Sequence, residues 1–356
     1  MTPPYEILQG GGRRRRAPRR RHPLGRGPGE GRGTGRRALA AVGFALVGLL
    51  VFGAVLLGLM AARTTGPTKV VLPPRHPRAP STAGLRSQYG TLPAPPSDQV
   101  RVHLRLRLRS GMLFDVHTGE VLWQVQPTRV LPIASLTKMM TALVVAAHSR
   151  PSDRVLITPQ AVHFTGSGVG LLPLHKRVSE LALLYGLLLP SGNDAAIALA
   201  QHVAGTQSGL ISMMNAQAHQ LGLSCTHFTT VSGIVDKGNH SCAADLALLA
   251  HLVLEQPLLR RIVGSRNAVA PFPIKGGKLY LYNNNPLLII RYPGADGVKT
   301  GYTQVAGQCL VATARRGRTW LGVVLLHSAN TLVQAQTLLN AGFTKLGRRG
   351  LPAAPG

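Results

Sequence analysis

The hydrophobic pattern separates an N-terminal part without regular periodicity from a folded part that begins near residue 101. At the start of the folded part, residues 102–109 alternate apolar and cationic side chains, which predicts an edge strand with one solvated face. Apolar runs then flank a Thr118-Gly119 turn within residues 111–124. Two such runs around a tight turn are typical of paired strands, so we predict a β-hairpin.

Helical periodicity fills the middle of the folded part, and strand patterns return near its end. Helices are predicted from Ser135 through residue 148 and over residues 178–189, 194–203, 208–221, 243–255 and 331–342. Strands are predicted over residues 308–314 and 319–326, joined by a basic turn at 315–318. Strands at both ends with helices between them predict a mixed α/β (α+β) fold. We expect one antiparallel sheet with helices on its faces and an inserted helical lobe.

The N-terminal part predicts a membrane anchor. Residues 1–37 are rich in Arg, Gly and Pro and have little apolar surface, so we predict a disordered tail. Residues 38–62 contain no charge and are long enough to span a bilayer core of ~30 Å. This run is longer than the apolar region of a cleaved secretory signal, which favours an uncleaved signal anchor, although the small residues Ala61 and Ala62 leave cleavage open.

The charges that flank the anchor predict its orientation. Arginines are far denser on the N-terminal side, which places residues 1–37 in the cytoplasm and everything after Arg63 outside the cell membrane. Residues 63–100 are rich in proline and predict a semi-extended linker. We therefore expect a single-pass protein whose folded domain covers residues 101–348, followed by a short tail at 349–356.

Composition narrows the classes of partner and cofactor. The chain has 40 Lys and Arg against 12 Asp and Glu, a formal charge of +28, and much of the excess lies in residues 1–37. Such a tail suits nucleic acid or anionic lipid. Because an apolar span follows it, we expect membrane contact and no nucleic-acid partner. Three cysteines cannot all pair within one chain, and neither a CxxC nor an HExxH pattern occurs, so we expect no metal site and leave the disulfides open.

The segment Ser135-Leu-Thr-Lys138 opens a predicted helix that is apolar almost all round. Positions three apart share a helical face, so the lysine amine can reach the serine hydroxyl. A lysine desolvated on a buried helix loses its preference for the charged form and can act as a base. Taken alone, the same spacing also fits a capping serine with a lysine that reaches solvent.

The segment Ser191-Gly-Asn193 lies in a tight turn between two predicted helices. One hydroxyl and one carboxamide in such a turn can relay a proton and orient a substrate amide. Taken alone, the segment also fits a plain turn in which Asp194 caps the following helix.

The segment Lys299-Thr-Gly301 is predicted to lie at the start of a strand, after a glycine-rich stretch at 294–297. A cation and a hydroxyl at a strand edge suit the terminal carboxylate of a peptide. A glycine there lets that peptide approach and pair with the strand. A phosphate-binding loop is not favoured, because Val298 precedes the lysine and a strand follows instead of a helix.

Together and in this order, the three segments resemble the signature of the penicillin-recognising serine enzymes. Within that group the chain resembles the S11-type D-alanyl-D-alanine carboxypeptidases over roughly residues 108–345, including the blocks LPIASLTKMMTALV, LLLPSGNDAAIALA, THFTTVSGI and DGVKTGYTQVAGQCLVATARR. The resemblance implies a transpeptidase-like fold and removal of the terminal D-alanine from peptidoglycan stem pentapeptides. It also implies covalent inhibition by β-lactam antibiotics, and it requires no metal or organic cofactor.

The resemblance also implies a role for each motif residue. Ser135 would be the nucleophile, Lys138 its base, and Ser191 the relay of a proton towards the leaving D-alanine. Asn193 would hold both the substrate and the lysine. Lys299 and Thr300 would bind the terminal carboxylate, with Gly301 beside them as part of the substrate-binding strand. The backbone N–H groups of Ser135 and Tyr302 would bind the oxyanion, and Asp194 and Asp296 would be structural.

The chain departs from the family pattern in several places. Members usually continue into a smaller β-rich domain and a C-terminal amphipathic anchor, so here the N-terminal anchor is expected to tether the enzyme. Tyr302 stands where histidine is common, and residues 163–174 are irregular beside the expected site. Both features affect the expected specificity and leave the reaction class unchanged.

Three other functions compete with this interpretation. A β-lactamase usually needs a loop glutamate that positions water, and Glu180, the only acid between Asp153 and Asp194, falls within a predicted helix. A DD-endopeptidase uses the same chemistry and stays open. A non-enzymatic wall-binding or DNA-binding membrane protein would depend on the basic tail, and the full set of nucleophile, base and carboxylate-binding residues argues against it.

Overall fold

The computed structural model describes residues 100–102, 104, 107–170 and 172–349. The predicted tail, the predicted anchor and all but the last residue of the predicted linker lie outside these residues, as does nearly all of the C-terminal tail. Within the described part, no helix has both the length and the apolar character needed to cross a membrane.

Five antiparallel strands form the main sheet, in the order β2-β1-β11-β10-β9. These strands are β1 (Ser110–Asp115), β2 (Val121–Val125), β9 (Ala295–Thr303), β10 (Gly307–Arg316) and β11 (Thr319–Ser328). The predicted hairpin is confirmed as β1 and β2, and Asp115 Oδ1 accepts the backbone N–H groups of His117 and Thr118 in its turn. Strand β9 lies at one edge of the sheet, so its outer side is not paired with another strand of that sheet.

Strand β11 forms the centre of the main sheet, and all of its residues from Trp320 to Leu326 are apolar and buried. On one face of the sheet, Leu321, Val323 and Leu325 pack with the C-terminal helix α9 (Thr331–Arg349). On the other face, Val324 and Leu326 belong to the larger core of the helical lobe. An apolar run that is buried on both faces fits a central strand, and its two faces explain why helices cover the sheet on both sides.

The helical lobe lies between β3 (Leu131–Pro132) and β9 in the sequence. Its longer helices are α1 (Lys138–His148), α3 (Glu180–Leu188), α4 (Asn193–Ala204), α5 (Gln207–Leu221), α6 (Ala243–Glu255) and α7 (Pro257–Gly264). Two short helices are α2 (Pro159–Val162) and α8 (Pro286–Ile289). Three two-stranded ribbons complete the domain: β3 (Leu131–Pro132) with β6 (His240–Ser241), β4 (Arg154–Leu156) with β5 (Arg177–Ser179), and β7 (Asn267–Pro271) with β8 (Lys278–Tyr282).

The predicted fold class is confirmed: one antiparallel sheet carries helices on both faces and an inserted helical lobe. The strand predicted at residues 102–109 is wrong for the residues described there, none of which lies in a strand. Arg107 O accepts from Ala329 N and Arg109 N donates to Leu326 O, both near the end of β11. Because β11 is already paired with β1 and β10, this segment finds no free strand edge, although its apolar side chains pack against the core as the alternation predicts.

Two predicted boundaries also change. The helix predicted over 178–189 begins at Glu180, because Val178 and Ser179 pair with β4 and the Ser179 hydroxyl accepts the N–H of Ala182. Lys299 lies in the middle of β9 and not at its start, since pairing with β10 already begins at Ala295.

Candidate active site

Ser135 lies in a 3₁₀ turn (Ala134–Thr137) directly before α1. Ala134 adopts a left-handed conformation with φ of 48°, which is costly for a residue with a Cβ and is typical of constrained functional turns. The Thr137 hydroxyl donates to Ala134 O over 2.8 Å and accepts from Asn239 Nδ2 over 2.8 Å. These bonds fix the turn so that Lys138, the first residue of α1, places its Nζ 2.9 Å from Ser135 Oγ.

The amine of Lys138 is fully buried and held by two further oxygens. Nζ lies 2.7 Å from Asn193 Oδ1 and 2.7 Å from Ser232 O. Burial holds the pKa of Lys138 well below its usual value, the charge of Lys299 lowers it further, and Asp194 opposes both. A neutral amine keeps two N–H donors for Asn193 and Ser232 and has a lone pair for the Ser135 proton. The arrangement can therefore activate the serine hydroxyl.

The turn that carries Ser191 connects α3 to α4. Gly192 N donates to Gly186 O over 2.9 Å, and Ser191 has a left-handed φ of 70°. The buried Ser191 Oγ has no hydrogen-bond partner in the described part of the chain. A buried hydroxyl without a partner is costly, so a ligand that supplies one would be favoured here.

The described residues of the segment 163–174 (163–170 and 172–174) are irregular and border this turn, as predicted, and α4 holds residues 165–169 in place. Asn193 Nδ2 donates to Thr165 O over 2.6 Å, and Asn193 N donates to Ser167 O over 2.7 Å. Asp194 accepts the N–H of Val169 over 2.9 Å, and burial raises the pKa of Asp194 although these hydrogen bonds oppose the shift. Because its two amide atoms bond to Lys138 and to this loop, Asn193 fixes the position of both.

Strand β9 brings the third segment against the Ser135 turn. A Cβ added at Gly301 would lie 2.9 Å from Ile133 O and 3.1 Å from Ser135 N, so only glycine allows the strand to approach this closely. Lys299 is buried, its Nζ donates to Thr300 O over 3.0 Å, and burial lowers its pKa to about 7. Asp296, earlier in the strand, accepts a hydrogen bond from the Thr313 hydroxyl over 2.6 Å.

A cleft of about 360 Å³ lies where these three segments meet. Its walls hold hydroxyl groups, backbone of the sheet edge and few apolar side chains. The residues that line it are Ser135, Ser167, Ser191, Asn284, Pro286, Thr300, Gly301, Tyr302, Gln308, Cys309 and Thr331. Lys138, Asn193, Asp296 and Lys299 do not line it, and the two lysine side chains are buried beside residues that do. Segments that are far apart in the sequence therefore place two serine hydroxyls and the edge of β9 around one space.

The family model of the peptidase S11 D-alanyl-D-alanine carboxypeptidases matches residues 98–330. The chain belongs to this family. The family member DacF of Bacillus subtilis, a D-alanyl-D-alanine carboxypeptidase, is 33% identical over 243 residues, which cover 67% of this chain and 60% of the relative. The D-alanyl-D-alanine endopeptidase of Pseudomonas aeruginosa is 32% identical over 237 residues, or 66% of this chain and 76% of the relative.

Solved structures of the family have the same fold. The crystal structure of a D-alanyl-D-alanine carboxypeptidase from Mycobacterium tuberculosis superimposes with a TM-score of 0.65 at 31% identity, and the match covers 71% of this chain and 96% of that one. The chain spans about three fifths of the length of several curated carboxypeptidases that it matches.

A loop that sequence reasoning did not use completes the site of this family member. Cys225 and Cys242, for which no pairing was predicted, form a disulfide that closes the segment between them, and Cys309 is free and buried. This segment contributes Ser232 O to Lys138 and Asn239 Nδ2 to the Ser135 turn. Ser232 acts through its backbone, which leaves no side-chain signal; the block THFTTVSGI was the available indication.

Other residues of the cleft were also missed. Ser167, Asn284 and Pro286 line it, and Asn284 Nδ2 donates to Pro190 O over 3.1 Å, beside the Ser191 turn. The run of three asparagines at 283–285 was the signal for this contact. Glu180 does not line the cleft, which agrees with the expectation that it positions no water for a β-lactamase reaction.

Proposed function

We propose that this protein is a serine-type D-alanyl-D-alanine carboxypeptidase that removes the terminal D-alanine from peptidoglycan stem peptides through an acyl-enzyme. The observation that carries this proposal is the Ser135 hydroxyl 2.9 Å from a lysine amine that burial keeps ready to accept a proton. Family membership and the β9 edge beside the serine support the same reaction class.

In the proposed complex, the substrate peptide binds along the edge strand β9. An extended peptide adds alongside β9, as peptides do at exposed sheet edges. Its terminal carboxylate binds the Lys299 amine and the Thr300 hydroxyl, where a charge-assisted hydrogen bond is strongest. Gly301 leaves room for the peptide backbone, and Tyr302, which is 66% exposed, forms the outer wall of the cleft.

Acylation begins when Ser135 Oγ attacks the carbonyl carbon of the penultimate D-alanine and its proton passes to Lys138 Nζ. The backbone N–H groups of Ser135 and Tyr302 bind the oxyanion of the tetrahedral intermediate, where fixed donors stabilise the developing charge. The C–N bond then breaks, and the proton reaches the amine of the leaving D-alanine through Ser191 Oγ.

Deacylation uses the same groups with water as the nucleophile. Lys138 takes a proton from the water, which attacks the ester carbonyl, and the proton returns to Ser135 Oγ as the acid product leaves. A β-lactam would acylate Ser135 in the same way, and its retained ring fragment would keep water from attacking. We therefore expect long-lived labelling by penicillins.

The decisive experiment is mass spectrometry of the products formed from a pentapeptide muropeptide. We expect loss of a single D-alanine by the wild-type protein, and neither this product nor covalent penicillin labelling by Ser135→Ala. Ser149→Ala, a serine away from the cleft, serves as the matched control and should retain both. Release of D-alanine by Ser135→Ala at near the wild-type rate would overturn the assignment of the nucleophile.

A DD-endopeptidase is the second candidate, because a relative of that name matches the chain over 76% of its own length. The same mass-spectrometric assay with a crosslinked muropeptide distinguishes the two. Faster release of monomers from the crosslinked substrate than of D-alanine from the pentapeptide would favour the endopeptidase.

We also propose that residues 38–62 anchor the protein in the cell membrane with the catalytic domain outside. The uncharged run, the arginines before it and the Cys225–Cys242 disulfide support this, since disulfides persist in oxidising compartments. Protease digestion of intact spheroplasts tests the topology: degradation of the catalytic domain is expected, and its protection would contradict the proposal.

A further inference from the structure

Three metal-ligating side chains from separate elements converge on the helical lobe. Asp153 lies in the turn before β4, Glu180 is the first residue of α3, and His202 lies in the last turn of α4. Their ligand atoms all lie within 4.8 Å of one another. None of the three lines the active-site cleft.

The backbone fixes two of these ligands relative to each other. Glu180 N donates to Asp153 O over 2.9 Å, and Leu181 N donates to Pro151 O over 3.1 Å, so the turn at 151–153 caps the start of α3. Arg150 N donates to Asp153 Oδ2 over 3.0 Å and orients that carboxylate. The protein itself therefore fixes the backbone that carries both acids and the carboxylate of Asp153.

The distances to the histidine are too long for hydrogen bonds. His202 Nε2 lies 3.6 Å from Asp153 Oδ2 and 3.8 Å from Glu180 Oε2. Protein N–H···O hydrogen bonds span about 2.7–3.2 Å. Two ligands of a tetrahedral zinc ion with bonds of about 2.1 Å are about 3.4 Å apart, so the observed spacing is close to that of a metal site.

Glu180 supplies an independent indication of a missing partner. Its side chain is completely buried, and neither carboxylate oxygen accepts a hydrogen bond within the described residues: His202 Nε2 stays 3.8 Å away, and the neighbouring Ser149 hydroxyl donates to Val145 O. An ionised carboxylate without compensation is very costly to bury. His202 and Asp153 are partly exposed, with side-chain exposures of 26% and 35%, so an ion can enter from solvent and reach the buried acid.

We propose that Asp153, Glu180 and His202 bind one divalent transition-metal ion of the zinc type, with water completing the coordination. One imidazole and two carboxylates suit Zn²⁺, whereas Ca²⁺ and Mg²⁺ prefer oxygen ligands alone. The other cysteine-containing cluster, Cys225 with Cys242 and Asp245, is not a candidate because its two sulfurs form the disulfide.

The expected role of the ion is to stabilise the fold. It would join the turn before β4 to the start of α3 and the end of α4, while the Ser191 turn lies at the opposite ends of these two helices. A nine-residue helix is about 14 Å long, so the ion would lie far from the serine. We therefore expect binding to raise thermal stability and to leave turnover unchanged.

The test is thermal unfolding of the full chain, purified without a histidine tag and treated with EDTA, during titration with Zn²⁺. We expect saturable binding of one ion and a rise in Tm of about 5–10 °C at 100 times Kd. His202→Ala and Glu180→Gln should each lose most of this rise, and Co²⁺ should give visible absorption bands only with the wild-type site. Mg²⁺ should leave Tm within about 1 °C of the metal-free value.

His219→Ala is the matched control, since it removes an exposed histidine from the last turn of another helix, and it should keep the full response. Each variant is compared with and without Zn²⁺, so a change in its basal stability does not affect the result. Penicillin labelling of Ser135 reports that the variants are folded. An equal rise in Tm for wild type and His202→Ala, or the absence of a saturable rise at millimolar Zn²⁺, would overturn the site.

Discussion

Two buried lysines of the same site differ in how their amines are held. Lys138, on the helical lobe, lies within 2.9 Å of oxygens of Ser135, Asn193 and Ser232. Lys299, on the edge strand β9, has a single hydrogen bond in the described structure, to Thr300 O. Burial lowers the pKa of both amines, to about 7 in Lys299.

In the proposed mechanism, this difference suits Lys138 to moving a proton and Lys299 to binding an anion. Lys138 has its donor capacity used by fixed protein oxygens, which leaves the hydroxyl of Ser135 as its exchange partner. Lys299 retains donors for a ligand, and an incoming carboxylate would stabilise its charged form. Burial alone therefore does not define the role of a lysine; its neighbouring acceptors do.

The largest effect is expected when Lys138 is replaced by Met, which keeps the volume and removes the base. Acylation by a fluorescent penicillin should slow by about 10³–10⁴-fold, in the upper range for loss of a general base. Stopped-flow labelling measures the rate, and Tm reports the fold. Acylation within tenfold of wild type would mean that another group accepts the serine proton.

A smaller effect is expected when Lys299 is replaced by Met. Loss of one charge-assisted hydrogen bond should lower kcat/KM for a peptide ending in D-alanine by about 10–100-fold. A peptide ending in D-alaninamide lacks the carboxylate and should lose less than about threefold. Lys176→Met, at an exposed position, is the control. Equal losses for both peptides would show that Lys299 does not recognise the carboxylate.

The smallest effect concerns stability and pH. Because the folded-state pKa of Lys299 is about 7 and its ordinary value is 10.5, the unfolded chain binds more protons between these values and stability rises with pH. Lys299→Met removes this dependence, so it should be more stable than wild type at pH 6.5, and the difference should shrink by about 2.5 kcal/mol by pH 9. Urea unfolding at several pH values measures it; a difference that stays constant with pH would contradict the shifted pKa.

Contacts between residues that are close in the sequence could be predicted from their spacing. Ser135 and Lys138 are three residues apart at a helix start, so their contact follows from helical geometry alone. The Thr118-Gly119 turn and the apolar runs beside it predicted β1 and β2 in the same way. The motif order then suggested that the segments with Ser191 and Lys299 share the site.

Contacts between distant segments were not predictable from local patterns. Ser232 lies 94 residues from Lys138 and contributes a backbone oxygen, which every residue type possesses. The strand β9 begins at Ala295, within a glycine-containing stretch that looks like a loop, because its partner β10 supplies the hydrogen bonds. The opposite error occurs at residues 102–109: their alternation predicts a strand, but the described residues there form none, because β11 is already paired with β1 and β10.

In the loop closed by the Cys225–Cys242 disulfide, residues 232 and 233 differ in how strictly the structure requires their amino-acid type. Any amino acid at position 232 provides the same oxygen, so the contact with Lys138 does not require serine, although the position is buried and a replacement side chain must be small. The next residue has no such freedom: Gly233 has a φ of 78°, and a Cβ there would lie 1.9 Å from Ala134 O. Among relatives that keep this geometry, the glycine should be retained more strictly than residue 232, so sequence comparison would mark a position one residue away from the atom that contacts Lys138.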